Sequence, residues 1–286
     1  MELSGQTRVV GIFGDPIAHS LSPVMQNAAI QAAAIDAVYV PFHVTSANLP
    51  AAIDGIRTLG LAGVNLTLPH KEAALSLVDE LDATARVIGA INVIVNREGR
   101  LIGYNTDGDG LCRALQSELG VACQGKHVLL LGAGGACRAA AVAIARAGAR
   151  WVGIANRTMA RASELVVELR PVAQGTGFAS LALDATLPAN LEQRVDLLVN
   201  TTSVGLHGES FTEPVLDCVA SAGAVYDVVY GRKETPLVQQ ARANGLAAAD
   251  GLSMLAEQGE VAFSHWFGQE PPLGVMQHTL KRLRAE

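Results

Sequence analysis

The run 127–147, HVLLLGAGGACRAAAVAIARA, limits the folds open to this chain more than any other stretch. His127-Val128-Leu129-Leu130-Leu131 is a nearly continuous apolar segment, the pattern of a parallel strand buried on both faces. Gly132-Ala133-Gly134-Gly135 interrupts it, an Ala-rich helical stretch follows, and Gly148 stands where a helix can stop. Strand, glycine turn and helix in that order predict a βα unit of a doubly wound α/β domain. Half of the residues are hydrophobic but only 4% are aromatic, which suits close packing of small aliphatic side chains between helix and sheet.

The alternation extends in both directions. Strands are expected at 8–13, 39–44, 63–68, 91–96, 100–104, 151–155, 196–200 and 224–228. Helices are expected at 24–34, 47–59, 111–118, 161–168 and 252–267, with a basic helix at the end. Arg97-Glu98-Gly99 reads as the turn of a hairpin. A length of 286 residues exceeds one average domain. The expected fold is therefore two α/β domains. Residues 1–109 form the first, completed by C-terminal helices at 251–286, and residues 110–250 form an inserted Rossmann-type dinucleotide domain.

Charge and cysteine usage narrow the classes of function. A net charge of −6 with scattered Lys and Arg argues against nucleic acid as a partner. The apolar runs fall short of the roughly 20 residues that span a bilayer. The N-terminal segment lacks the charged region of a signal peptide. Cys112, Cys123, Cys137 and Cys218 have no CxxC or ligand spacing and read as small core residues in a reducing cytosol. The His residues show no metal-binding spacing and GxSxG is absent, so neither a metal site nor a serine hydrolase is expected.

The glycine turn carries the first chemical signal. Gly132 permits the tight turn, and Gly134 lets the backbone approach a pyrophosphate held on the helix N-terminal amides. Cys137 replaces the third glycine of G-x-G-x-x-G. After the next strand an NAD site would carry Asp or Glu for the ribose 2′-hydroxyl. This chain has Asn156-Arg157-Thr158, with Arg161 one turn on. Two guanidiniums and a hydroxyl attract a 2′-phosphate, which favours NADP.

The second signal is a set of polar residues at strand ends, where open α/β sheets present ligands. Ser22, before Pro23, is explained as a helix cap, whereas Ser20 has no such explanation. Asn65, Thr67 and Lys71 follow the third strand; a cation in a first helical turn opposes the helix dipole, so Lys71 is a candidate proton donor. Glu72 is assigned a structural role at the same helix start. Asn92 lies early in the hairpin. Asn105, Asp107 and Asp109 precede a helix, and either aspartate could serve as its cap.

Together and in this order these residues resemble the shikimate dehydrogenase family. The matching strings are GDPIAHSLSP at 14–23, GVNLTLPHKE at 63–72, GAIN at 89–92, YNTDGDG at 104–110 and GAGGA at 132–136. They continue with NRT at 156–158, NTTSVG at 200–205, DVVY with TPL at 227–237, and ADGLSMLAEQ at 249–258. The resemblance implies reversible, NADP-dependent reduction of 3-dehydroshikimate to shikimate, in aromatic amino-acid biosynthesis. It implies a catalytic pair at Lys71 and Asp107, and substrate contacts at Ser20, Ser22, Thr67, Asn92, Asn105, Tyr230 and Gln258. The cofactor would be held by Gly132, Ala133, Gly134, Gly135 and Ala136, and by Asn156, Arg157, Thr158 and Arg161. Its nicotinamide would lie near Val204, Gly205 and Gly251. A cytoplasmic monomer or homodimer is expected, with no membrane or nucleic-acid partner.

His70, Leu206 and Cys137 depart from residues common in the family. They are peripheral to hydride and proton transfer, although His70 and Leu206 bear on substrate range or cofactor seating. The alternative is a quinate/shikimate dehydrogenase or a paralogue acting on a related cyclic polyhydroxy acid. Such relatives often accept NAD, against which the Arg157 cluster argues. A silent NADP-binding protein would be expected to lack Lys71 or Asp107.

Overall fold

The computed structural model describes residues 3–285, and the chain divides into two units. One unit runs to Thr106 and resumes at Leu255; the other is the inserted stretch from Asp107 to Met254. The junctions thus fall at 106/107 and 254/255, a few residues from the 109/110 and 250/251 read from the sequence. A helix begins at Asp107, its first turn concealed by the turn-like Asp-Gly-Asp-Gly, and the helix from Leu252, which the sequence does mark, starts before the second junction.

The first unit opens with β1 (Arg8–Gly14), α1 (Ser22–Ala32), β2 (Ala37–His43), α2 (Leu49–Thr58), β3 (Gly63–Leu66) and α3 (His70–Ala73). It continues through β4 (Glu80–Leu81), α4 (Ala83–Ile88), β5 (Val93–Arg97) and β6 (Arg100–Tyr104). The second unit contains α5 (Asp107–Leu119), β7 (His127–Leu131), α6 (Gly135–Arg146), β8 (Trp151–Asn156), α7 (Met159–Leu169) and β9 (Gly177–Ala182). After β10 (Val195–Asn200), β11 (Val219–Asp227), α8 (Pro236–Ala243) and β12 (Ala247–Asp250), the chain returns through α9 (Leu252–Phe267) and ends in α10 (Val275–Ala285).

The first sheet has the order β2-β1-β3-β5-β6-β4 and is mixed. β1 runs parallel to β2 and β3, while β5 is antiparallel to both β3 and β6. The β5–β6 hairpin closes on Glu98 and Gly99, both at positive φ, as a tight two-residue turn requires. Phe13, Ile53, Ile56, Val64, Leu66, Ile91 and Ile94 belong to the buried core that joins this sheet to α2. From Leu255 onward α9 belongs to this unit: the Gln26 side chain donates to the Gly259 carbonyl at 2.9 Å, and Trp266 Nε1 donates to the Ile94 carbonyl at 3.1 Å.

The second sheet has the order β12-β11-β10-β7-β8-β9, with every pairing parallel. Its first strand, β7, lies between β8 and β10, so the chain reverses direction of travel across the sheet there. That reversal is where doubly wound sheets open a ligand crevice. Val128, Leu129, Leu130 and Leu131 are all fully buried, as their uninterrupted apolar run predicts. Two strands carry no clear sequence signal. β12 is Ala-Ala-Ala-Asp, and β9 begins at a glycine and is rich in small residues. Both are strands because their neighbours offer parallel hydrogen-bonding edges, which outweighs intrinsic preference. Among the described residues no helix is long and apolar enough to cross a membrane.

Candidate active site

In the first unit a chain of buried polar groups links the strand ends. Ser22 is not the cap of α1: Leu21 holds the N-cap position and no side chain caps this helix. Ser22 is already helical because the helix starts one residue before Pro23, and a cap must precede the first helical residue. Neither serine caps the helix, and it is Ser20 that makes the local backbone contact. Ser20 Oγ accepts from the Ser22 amide at 3.3 Å, whereas the Ser22 hydroxyl is buried and hydrogen-bonded to Tyr39.

Tyr39, on β2, is the residue that sequence reasoning missed. Its phenol donates to Asn65 Oδ1 at 2.7 Å, and Asn65 Nδ2 donates to the Asn92 carbonyl at 3.0 Å. Burial pushes the Tyr39 phenol well above its ordinary pKa, so it remains a neutral donor. Asn92 Nδ2 donates to Thr106 Oγ1 at 2.9 Å and to Gln258 Oε1 at 3.4 Å, and its Oδ1 accepts from the Thr106 amide at 2.8 Å. Thr106 Oγ1 in turn donates to the Gln258 carbonyl at 3.1 Å. Ser22, Asn92 and Gln258 are therefore members of one array, which runs through Tyr39, Asn65 and Thr106. A tyrosine in an apolar strand gives no signal of this in sequence; only the β2-β1-β3 strand order brings it to Asn65.

Lys71 stands on α3, a single turn that continues into a 3-10 turn at Ala74–Leu77. The helix dipole is too weak here to set the character of Lys71, contrary to the expectation from sequence. A macrodipole sums over aligned peptides, and one turn supplies few of them. What fixes Lys71 is its backbone: its carbonyl accepts from the Ile91 amide at 2.8 Å, one residue before Asn92. The preceding His70 is fully buried, and its Nε2 donates to the Val44 carbonyl at 2.7 Å. His70 thus anchors the turn rather than facing a ligand. Thr67 is held through its amide on the Phe13 carbonyl at 3.0 Å, and Asn105 Nδ2 donates to the Ala90 carbonyl at 3.0 Å.

In the second unit Asp107 is the first residue of α5 and not a cap ahead of it. Asp107 and Asp109 both lie in the first turn, where a carboxylate complements the exposed amides. Gly132 has φ +108°, and a Cβ there would meet the Thr201 hydroxyl at 2.9 Å, so the turn after β7 requires glycine twice over. Gly134 is the N-cap of α6 and offers no side-chain cap, and a Cβ built on it meets nothing within 4 Å. The first amides of α6, at Gly135 and Ala136, are left as unsatisfied donors beside open space. That is the constellation that binds a phosphate. Cys137 fits the third-glycine position as a fully buried small residue.

At the end of β8, Asn156 Nδ2 donates to the Thr158 carbonyl at 2.9 Å, and Thr158 is the N-cap residue of α7. Arg157 and Arg161 are exposed, and neither side chain has a hydrogen-bonded or ionic partner among the described residues. The loop carrying Val204 and Gly205 hangs from a buried hub. Asn200 Nδ2 donates to the Val204 carbonyl at 3.0 Å and to Asp227 Oδ1 at 2.8 Å, and Thr235 donates to Asp227 Oδ2 at 2.6 Å. Burial pushes the Asp227 carboxyl up to about 6, against the hydrogen bonds that favour its ionised form. Tyr230 lines a cavity of about 350 Å³ with Gly205, Leu206 and Thr235. A Cβ on Gly251 would fall 2.1 Å from the Val228 carbonyl, so the backbone passes too close there for any other residue.

Three family profiles match the chain in sequence order. The shikimate dehydrogenase substrate binding domain covers residues 12–94, shikimate / quinate 5-dehydrogenase covers 114–203, and the shikimate 5'-dehydrogenase C-terminal domain covers 251–281. A shikimate dehydrogenase (NADP(+)) of Geobacter metallireducens is 48% identical over 277 residues, 97% of each chain. The shikimate 5-dehydrogenase of Thermus thermophilus, solved with NADP(H) and shikimate, is 36% identical with a TM-score of 0.84, covering 96% of this chain and 99% of that one. A 5-ketofructose reductase of a Gluconobacter strain is 33% identical with a TM-score of 0.88, covering 98% and 100%. The polar array, the uncapped glycine turn and these likenesses along nearly the whole chain agree: the chain belongs to the shikimate dehydrogenase family.

Proposed function

We propose that this chain interconverts 3-dehydroshikimate and shikimate with NADP as cofactor. The observation that carries the reading is the hydrogen-bonded array Ser22–Tyr39–Asn65–Asn92–Gln258, tied through Ile91 to the backbone of Lys71. Such a surface of hydroxyls and amides suits a small, polyhydroxylated carboxylate. Ser20 and Ser22 take the substrate carboxylate, and Thr67, Asn92, Asn105, Gln258 and Tyr230 read the ring and its hydroxyls. Lys71 delivers a proton to the carbonyl oxygen as it becomes an alkoxide, with Asp107 as its partner.

NADPH, when bound, supplies the hydride. The residues present fit it: the uncapped start of α6 suits the pyrophosphate, and the unpartnered Arg157 and Arg161 side chains suit a 2′-phosphate. The Asn200–Asp227–Thr235 hub holds the Val204–Gly205 loop in one shape for the nicotinamide end. Cys112, Cys123, Cys137 and Cys218 are free thiols, in keeping with a reducing cytoplasm.

Initial rates with shikimate and with quinate, each with NADP and NAD, test the proposal. Turnover is expected with shikimate and NADP above the other three combinations. Preferential use of quinate with NAD would move the chain to the alternative reading, and 5-ketofructose with NADPH serves as the control for the Gluconobacter relative. Failure to reduce either cofactor would refute the enzyme reading.

A further inference from the structure

The second sheet carries a cavity at the end of β7 and β8 away from the glycine turn. Successive parallel strands of one sheet are joined by a crossover that covers a sheet face, commonly with a helix. The crossover from β9 to β10 has only a 3-10 turn, Leu187–Asn190. Beside it is a cavity of about 620 Å³, within the range of small-molecule sites. The beginnings of β7 and β8, with His127 and Trp151, line it.

The floor is built for a flat group. A Cβ on Gly153 would fall 2.2 Å from the Trp151 indole, and one on Gly177 would fall 3.3 Å from it. Glycine in a strand interior costs stability and marks a close approach, which here is the indole lying across the strand. The His127 ring lies 6.2 Å from that of Trp151 and is tilted by 33°.

Two opposite charges line the same cavity. Arg150 and Glu192 both border it, and neither has a hydrogen-bonded or ionic side-chain partner among the described residues. The nearby Asp196 is different: it accepts from the His127 amide at 2.8 Å and has Lys126 Nζ at 3.8 Å. A cation and an anion left without partners beside an aromatic floor match a ligand with its own carboxylate, ammonium and planar apolar group.

We propose that this cavity binds a free α-amino acid with a planar apolar side chain. Arg150 takes the carboxylate, Glu192 the ammonium group, and the side chain lies on Trp151. The site is separate from the glycine turn, since it sits at the opposite ends of five- and six-residue strands, about 15 Å away at about 3.3 Å per residue.

Isothermal titration of the full chain with L-phenylalanine tests this, beside 3-phenylpropanoate, which lacks the ammonium, and phenethylamine, which lacks the carboxylate. Saturable one-to-one binding of L-phenylalanine is expected, with each analogue at least about tenfold weaker. Arg150→Ala should weaken L-phenylalanine by about tenfold while leaving phenethylamine unchanged, and Glu192→Gln should weaken L-phenylalanine while leaving 3-phenylpropanoate unchanged. Unaltered cofactor affinity would show that each variant is folded. No saturable heat with L-phenylalanine, equal binding of all three compounds, or indifference to both substitutions would overturn the proposal.

Discussion

The phenol of Tyr39 donates a 2.7 Å hydrogen bond to Oδ1 of Asn65, and the phenol oxygen is also hydrogen-bonded to the Ser22 hydroxyl. One buried hydroxyl therefore sets the orientation of two side chains on different elements, β3 and the start of α1. If Ser22 holds the substrate carboxylate, Tyr39 controls affinity without touching the reacting atoms.

Removing only that hydroxyl, in Tyr39→Phe, leaves two buried polar partners unsatisfied, at a cost of about 1–3 kcal/mol. The expected outcome is a rise of about tenfold in KM for shikimate with kcat nearly unchanged, since uniform binding is lost and not transition-state binding. Steady-state kinetics alongside denaturant unfolding separate the two effects. An unchanged KM in a destabilised variant would reduce Tyr39 to a packing residue.

Lys71→Ala should lower kcat by about 10²–10⁴-fold, the usual worth of a positioned proton donor. NADPH affinity, measured by titration, should survive, because Lys71 belongs to the unit that does not contain the glycine turn. Wild-type turnover in this variant would end the assignment of Lys71.

Arg157→Ala discriminates between cofactors. The loss of a charge-assisted contact to a 2′-phosphate should raise KM for NADPH by about tenfold or more and leave KM for NADH alone. Equal effects on both cofactors would remove the 2′-phosphate assignment.

Asp227 gives a pH dependence with a definite sign. Its carboxyl is pushed from the ordinary 3.8 up to about 6 by burial, so the folded state holds this proton more tightly than the unfolded state. The contribution to stability is fully present below pH 3.8 and is lost as pH rises through about 6. At about 1.4 kcal/mol per pH unit, the loss is about 3 kcal/mol. Relative to wild type, Asp227→Asn should therefore gain stability between pH 4 and pH 7. Urea unfolding across that range checks it, and a stability difference independent of pH would contradict it.

The glycine turn and its flanking elements were legible because each rests on local rules. A four-residue apolar run, Val128 to Leu131, needs burial on two faces, and Gly132 takes a φ that other residues avoid. Thr158 and Arg157 were legible for the same reason, standing directly after a strand. Asp107 is legible as a site candidate, but its placement ahead of the helix is wrong, since Asp-Gly-Asp-Gly looks like a turn in isolation. Ser20 and Ser22 are legible as a pair, but Ser22 is not the helix cap that the following Pro23 suggests, because the helix starts one residue earlier.

The order of polar and apolar residues alone determined the alternation of strands and helices and the glycine turn, and short motifs marked the residues proposed for the site. These follow from backbone conformation and periodicity, which a few neighbours decide. Tertiary structure decided what joins those residues. The strand order β2-β1-β3 sets Tyr39 against Asn65, and the return of α9 sets Gln258 against Asn92. It also made strands of Ala247–Asp250 and left Trp151 facing a cavity. Contacts between residues 26 or 166 positions apart depend on the packing of the whole unit, and no local pattern encodes them.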